Sequence, residues 1–347
     1  MMKRRDFVAS LACLSGSAML TPLAVYGAEL DTLRFETPFD GAVIHARSGF
    51  PLLNATTING KPGLTVAVTG FVPTGTTQVE LINTKRPGEK IPVKIEGNRF
   101  SAQAVITDVL TTFQARIPSE TVTAKPVQSR IIWLKESYPR WRFFVDDCSF
   151  FMRDIYQKGY KSLFDCFFLR YMKQLHEKYD VKMTLHMFYS TPEEDFNLSM
   201  FPTRYKSEWE ENADWLRLGF HANNEFPNHT YLVRTREQLI ADFDQIRNEI
   251  ERFAGEKSYT AVVALHWGSI RKESIKVLAD KGVRVLGNGS WQLKSKQYID
   301  LYQAPREASI YLKDNDAWYD FTNGMLFSSG ELCCNQPSHS PERCVAI

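Results

Sequence analysis

Residues 143–149 read Phe-Phe-Val-Asp-Asp-Cys-Ser, so an apolar run ends in two adjacent carboxylates, Asp146 and Asp147. A short apolar run of this kind is typical of a buried strand. In open or barrel-shaped parallel sheets, ligand sites form at the carboxyl ends of the strands. We therefore predict that the chemistry of the chain takes place at this pair of aspartates, and we interpret the remaining sequence outward from it.

From about residue 140 onward, strand-like runs alternate with helix-like runs, which predicts βα units and a parallel sheet. The clearest helix begins at a capping box formed by Thr235 and Gln238. Its apolar side chains recur at helical spacing and form one stripe: Leu239, Phe243, Ile246, Ile250 and Phe253.

Two further strands in this half also end in polar residues. The short strand Leu218-Gly219-Phe220 is followed by His221, and a buried strand from Thr260 to Leu265 is followed by His266. Histidine and carboxylate side chains are zinc ligands, and catalytic zinc sites leave one position open for water. Glu225 lies four residues after His221, so the two side chains share one face if this segment forms a helical turn.

Taken in order, these three segments resemble the first three motifs of the polysaccharide deacetylase family, also called the NodB-homology domain or carbohydrate esterase family 4. The resemblance covers roughly residues 140–290. It implies a deformed (β/α) barrel with fewer than eight repeats. It also implies a divalent metal, most often zinc, and removal of N- or O-acetyl groups from sugars.

The resemblance assigns roles residue by residue. Asp146 matches the general base, Asp147 a metal ligand and His221 a second ligand. Glu225 stands where the family has another histidine, and we expect it to be the third ligand. In the third motif, His266-Trp267-Gly268-Ser269 is followed by a helix, and His266 stands where the family has an arginine.

The family supplies its general acid, a histidine, from a late strand. The corresponding region, Met325 to Cys334, holds no histidine, and His339 lies in a polar tail. We expect His266 to act as the acid; His229 is an alternative acid and an alternative third ligand. The third possibility is an inactive protein.

Three other side chains near these motifs have two interpretations each. Trp267 and Trp291 could stack on a sugar ring of a carbohydrate substrate or pack in the core. His186 lies within a strand-like run, where it either packs or faces the barrel interior.

The first half of the chain has a different pattern. Residues 28–130 contain short alternating runs separated by Gly, Pro and Asn, which predicts a small antiparallel sandwich of immunoglobulin-like type. Its opening residues, Thr37-Pro38-Phe39-Asp40-Gly41, resemble the first strand of immunoglobulin-like modules on secreted bacterial enzymes. We thus predict an all-β domain at 28–130 and the α/β barrel at 131–347.

Residues 1–27 have the pattern of an export signal: Lys3-Arg4-Arg5 precedes an apolar stretch and a small-residue cleavage pattern. Arg4-Arg5 fits a twin-arginine signal and equally a general secretory signal with two arginines. No later apolar stretch is long enough to span a bilayer. We expect a periplasmic or extracellular protein without a stable membrane span.

The charge of the chain does not indicate nucleic-acid binding. The formal net charge is +2, and the first 28 residues account for it, so the rest of the chain is close to neutral. Removal of Cys13 with the signal leaves five cysteines, an odd number, without Cys-x-x-Cys spacing.

The leading hypothesis is therefore an exported zinc-dependent hydrolase that removes acetyl groups from a carbohydrate. The alternative is a non-catalytic carbohydrate-binding or cell-envelope protein on a degenerate barrel. A glycosidase is disfavoured, because it needs two carboxylates about 5–9.5 Å apart, and Asp146 and Asp147 are adjacent.

Overall fold

The computed structural model of this chain describes residues 31–45, 52–58, 60–118, 124–136, 143–287 and 304–329. The expected export signal at residues 1–27, Trp291 and His339 lie outside these ranges. Among the described helices, none combines the length and apolarity that crossing a bilayer requires.

The chain divides into two compact units. The first comprises Met1–Pro38, Pro51–Thr107 and Thr111–Arg130, and the second comprises Phe39–Phe50, Asp108–Leu110 and Ile131–Ile347. The described strands are β1 (Arg34–Thr37), β2 (Ala42–Ile44), β3 (Leu52–Ile58), β4 (Lys61–Phe71), β5 (Glu80–Asn83), β6 (Val93–Glu96), β7 (Arg99–Ile106), β8 (Leu110–Arg116), β9 (Val127–Trp133), β10 (Phe143–Cys148), β11 (Met183–Phe188), β12 (Leu216–Ala222), β13 (Val262–Val263), β14 (Val285–Gly287), β15 (Ala317–Asp320) and β16 (Met325–Ser328). The described helices are α1 (Phe150–Lys158), α2 (Phe167–Tyr179), α3 (Lys206–Glu211), α4 (Thr230–Val233), α5 (Arg236–Ala254), α6 (Lys272–Asp280) and α7 (Arg306–Asp314).

The first unit is built from antiparallel strands. The order β1-β4-β7-β6 forms one sheet, β3 pairs with β4, and β5 pairs with β8. Side chains alternate between buried and exposed along β8, as expected for strands with one face on a core. Buried side chains of this unit include Val66 and Val68 of β4, Phe100 and Ile106 of β7, and Phe113 of β8.

The second unit mixes helices with mostly parallel strands. β10, β11 and β12 form a parallel sheet in that order. β13, β14 and β16 pair in parallel, and β15 is antiparallel to β16. The α/β class is therefore confirmed. The strands in the described ranges do not close into a barrel.

The helix α5 begins as its sequence predicts. Thr235 caps it by accepting from the backbone N–H of Gln238, and the Gln238 side chain accepts from the backbone N–H of Thr235. This reciprocal pair satisfies two amide groups that the first helical turn leaves without partners. The predicted apolar stripe is buried throughout. The local pattern and the packing thus agree, and α5 covers the β12 strand that carries His221.

Candidate metal centre

The two aspartates lie at an irregularity in β10. The register between β10 and β11 shifts between Val145 and Cys148. Asp147 has φ of 57°, in the left-handed region that few residues other than glycine adopt. Irregularities of this kind re-aim side chains. The adjacent carboxylates consequently reach different partners.

Asp147, His221 and His266 bring three donor atoms into one small triangle. Asp147 Oδ1 lies 3.0 Å from His221 Nε2 and 3.2 Å from His266 Nδ1. The two ring nitrogens are 3.2 Å apart. These atoms form a cluster that could hold a metal ion. It lies at the carboxyl ends of β10 and β12 and in the turn after β13.

The far nitrogen of each ring is bonded to a backbone carbonyl. His221 Nδ1 donates to the carbonyl of Ala264. His266 Nε2 donates to the carbonyl of Glu225, at 3.1 Å. In the neutral form of each ring, these bonds leave the lone pairs of His221 Nε2 and His266 Nδ1 facing the cluster, whereas a proton on either nitrogen forms a hydrogen bond to Asp147. Metal-binding histidines are held in this way by their second nitrogen.

The donor set fits a divalent ion of the zinc type. Tetrahedral coordination with bonds of about 2.0–2.1 Å separates the ligand atoms by about 3.3–3.4 Å. The observed separations of 3.0–3.2 Å are close to that value. Two histidines and one carboxylate are also a known catalytic zinc set, which keeps a position open for water. The Asp147 side chain is 54 % exposed, so the cluster is open to solvent on that side.

Electrostatics favours a cation here. Hydrogen bonds from His221 and then from His266 hold the pKa of Asp147 far below its ordinary value, although partial burial opposes this shift. Burial of the His221 ring disfavours its charged form, but Asp147 and the charge of Asp146 outweigh burial and raise the pKa of His221. Asp147 is thus ionised at every ordinary pH, and the cluster attracts positive charge.

Cys148 follows the two aspartates but does not join them. Its thiol is buried and lies 3.4 Å from the carbonyl of Val145, to which it can donate. Burial, together with the nearby charges of Asp146 and Asp147, raises the pKa of Cys148 well above its usual value. The residue therefore remains a neutral thiol and not a thiolate ligand.

Asp146 has a separate partner, His186. Oδ1 of Asp146 lies 2.8 Å from Nδ1 of His186, whose ring is fully buried in β11. Burial lowers the pKa of His186, against the opposing effect of Asp146, so the ring is neutral and donates its proton to the carboxylate. Asp146 is therefore oriented from behind by a neutral donor, while 38 % of its side chain stays exposed.

The wall and rim of the cluster are aromatic. The Phe188 ring lies 5.0 Å from the rings of both His221 and His266. Trp267 is 49 % exposed and Phe226 is 62 % exposed, which excludes core packing for Trp267. The Trp267 ring lies 5.8 Å from that of His266. The apolar Phe188 ring and the exposed Trp267 ring thus flank the histidines of the cluster.

The structure brings together two of the three expected ligands and replaces the third. Asp147 and His221 are in the cluster, but the third corner is His266 instead of Glu225. The segment after His221 is extended strand and bend, so the helical turn assumed for Glu225 does not form. Glu225 contributes its backbone carbonyl. Both nitrogens of His266 are engaged, which suits a ligand and leaves none to protonate a leaving group.

Sequence reasoning missed the role of His186. The available signal was a polar residue inside the apolar run Met183–Phe188, because a buried polar group requires a partner. Periodicity showed that the residue was buried but could not name Asp146 as its partner.

No family model and no curated protein matches the chain. Two solved structures are weakly similar. A Bacteroides ovatus GH5 xyloglucanase in complex with a XXXG heptasaccharide has 9 % identity and a TM-score of 0.20, covering 74 % of this chain and 55 % of that one. A Photobacterium sp. JT-ISH-224 2,6-sialyltransferase with CMP and lactose has 12 % identity and a TM-score of 0.17, covering 71 % and 45 %. The chain thus spans about half the length of each.

Proposed function

We propose that this protein is an exported, metal-dependent hydrolase that removes acetyl groups, held as amide or ester, from a carbohydrate. One observation carries the proposal: a triangle of metal-ligand donors lies beside a second carboxylate with its own buried partner. Asp147, His221 and His266 form the triangle, and Asp146 is the second carboxylate. A site of this composition suits hydrolysis by an activated water molecule.

Asp147, His221 and His266 are the residues that would hold the ion, and the nitrogen-rich donor set favours zinc. When bound at such a site, zinc lowers the pKa of a coordinated water toward ~7 and polarises a carbonyl. Asp146 accepts the proton of the attacking water as general base. His186 keeps the Asp146 carboxylate in place by donating Nδ1–H to it.

The carbohydrate part of the proposal rests on the aromatic rim. Trp267 exposes its ring beside His266 of the donor triangle, and the exposed Phe226 follows Glu225, whose backbone carbonyl bonds His266. An aromatic face can pack against the apolar face of a sugar ring. Export rests on the N-terminal pattern of a basic segment followed by an apolar one.

We also propose that the second unit is an open variant of the deacetylase-type deformed barrel. The strand order β10-β11-β12 and the bridge between Leu218 and Tyr259, which leads into β13, support this assignment. The antiparallel sheet of the first unit supports an immunoglobulin-like sandwich.

The test is acetate release by purified zinc-loaded protein from acetylated xylan, cellobiose octaacetate and chitopentaose. We expect release from at least one substrate, and a loss of about 10²–10⁴-fold in Asp146→Asn with zinc content unchanged. His176→Ala is the control, because its ring stacks on Trp215 at the amino-terminal edge of the strands. Wild-type protein that binds one of these glycans without releasing acetate supports the non-catalytic alternative instead.

A further inference from the structure

Hydrolysis of an amide or alkyl ester has a requirement that Asp146 does not meet. The departing amine or alkoxide needs a proton, which a positioned side chain supplies. His266 cannot supply it, because its Nε2 bonds the carbonyl of Glu225 and its Nδ1 faces the donor triangle. We propose that His229, held by Ser269, is the residue that protonates the leaving group; this inference rests on the proposed hydrolase function.

His229 is held by one nitrogen. Its Nδ1 lies 3.0 Å from Oγ of Ser269. The Ser269 hydroxyl donates to the carbonyl of Trp267, at 2.9 Å, so its oxygen is left to accept from Nδ1–H of His229. Nε2 of His229 has no hydrogen-bond partner within the described ranges. The ring is thus fixed at one side and has a second nitrogen available for a mobile proton.

His229 lies along the rim of the metal centre. Its ring is 5.0 Å from that of Trp267, and the Trp267 ring is 5.8 Å from that of His266. The backbone holds this arrangement on both sides. The Glu225 carbonyl bonds His266, and Tyr231 bridges to Ile270 in parallel. Residues 226–230 are therefore anchored beside the cluster at either end.

The other described histidines of this unit are less suitable. His186 is buried against Asp146, and both nitrogens of His221 are engaged. His176 stacks on Trp215, near the amino-terminal ends of β11 and β12. His45 bonds Asp316, and neither residue belongs to the segments that carry the cluster. His229 alone among them combines a free ring nitrogen with the aromatic rim.

The proton balance is simple. The water oxygen adds to the acetyl carbon while Asp146 takes one water proton. The bond from that carbon to the nitrogen or oxygen of the sugar then breaks, and its electron pair remains on the departing atom. The imidazolium of His229 gives its Nε2 proton to this atom and becomes neutral with Nδ1–H still on Ser269. Solvent carries the proton on Asp146 back to His229, so one acetyl group and one water yield acetic acid and a free alcohol or amine.

The test compares two leaving groups. 4-Nitrophenolate departs without a proton, whereas the oxygen or nitrogen of a sugar has to be protonated as it leaves. His229→Asn places an amide N–H where Nδ1–H of His229 stands, so Ser269 keeps its donor, but this side chain has no acidic proton to transfer. We expect His229→Asn to lose about 10²–10⁴-fold in kcat on the acetylated glycan, and less than about threefold on 4-nitrophenyl acetate. Imidazole added to His229→Ala should restore part of the glycan activity. Ser269→Ala should also lose kcat on the glycan with little change on 4-nitrophenyl acetate, but its loss should be smaller than that of the His229 variant.

Controls separate this inference from the proposed function. His176→Ala should lose neither activity, and zinc content should equal that of the wild type in each variant. Equal losses on both substrates, or no loss on the glycan, would overturn the role of His229 while leaving the hydrolase assignment intact. A wild-type protein inactive on both substrates would overturn the proposed function, and the role of His229 with it.

Discussion

Nδ1 of His186 lies 2.8 Å from Oδ1 of Asp146, so a fully buried neutral imidazole donates to the carboxylate that we assign as the base. The neighbouring Asp147 instead faces His221 and His266. The two adjacent aspartates therefore have different hydrogen-bond partners. This separation allows one of them to be perturbed without disturbing the other.

The first prediction concerns His186. His186→Ala leaves Asp146 without its buried donor, so the base is less well oriented. We expect kcat on 4-nitrophenyl acetate to fall about 10–100-fold, the range typical of outer-shell partners, with KM changed less than about threefold. Zinc content measured in parallel should stay at the wild-type value. Loss of zinc together with activity would show that His186 supports the metal centre and not Asp146.

The second prediction concerns stability on metal binding. An ion that binds the folded chain at about 1,000 times its dissociation constant adds ~4 kcal/mol. For a unit of roughly 200 residues, each kcal/mol corresponds to about 2–4 °C in Tm. We expect zinc to raise Tm of the metal-free protein by about 8–16 °C in differential scanning calorimetry. Asp147→Ala should show no such rise; an equal rise in this variant would place the ion elsewhere.

The third prediction concerns Trp267, whose φ is 61°. A residue with a Cβ is strained there and glycine is not. Trp267→Gly should therefore be more stable than Trp267→Ala by about 1 kcal/mol in urea unfolding. Equal stabilities would contradict the left-handed conformation.

The same pair of variants tests the exposed indole. Both should raise KM for the acetylated glycan, by about tenfold, because each removes the aromatic face. Neither should change KM for 4-nitrophenyl acetate by more than about twofold. A similar change on both substrates would mean that Trp267 supports the site and does not contact the sugar.

The fourth prediction concerns the capping box. Thr235→Ala removes the oxygen that accepts from the Gln238 amide, which costs about 1 kcal/mol. Thr235→Asp retains an acceptor and should remain within about 0.5 kcal/mol of the wild type. Urea unfolding of the two variants measures both values. If Thr235→Ala had the same free energy of unfolding as the wild type, packing against β12 would fix this helix without a contribution from the cap.

Features set by local interactions could be predicted from the sequence. Thr235 and Gln238 are three residues apart, and their bonds depend on little beyond the first helical turn. The same holds for the stripe of α5, where spacing alone predicts the buried face. The strand ends at Asp147 and His221 were predictable because apolar runs end there in polar residues.

Features set by distant parts of the chain could not be predicted. Whether Glu225 or His266 supplies the third ligand depends on the backbone path after His221, which bends at 223–225 and forms no helical turn, and on a turn 45 residues away. The β13 strand was expected over 260–265 but pairs only at Val262–Val263. One reason is that the Ala264 carbonyl accepts from His221 and not from a strand neighbour.

The zinc content of the purified protein, measured by mass spectrometry in wild type, His266→Ala and Glu225→Gln, tests whether Asp147, His221 and His266 form the metal centre. His266 contributes a ring nitrogen to the donor triangle, whereas Glu225 contributes only a backbone carbonyl that glutamine also has. We predict one zinc per chain in the wild type and in Glu225→Gln, and less than about a tenth of that in His266→Ala, since loss of one of three ligands removes most of the affinity. Zinc retained by His266→Ala but lost from Glu225→Gln would contradict the assignment of the metal centre.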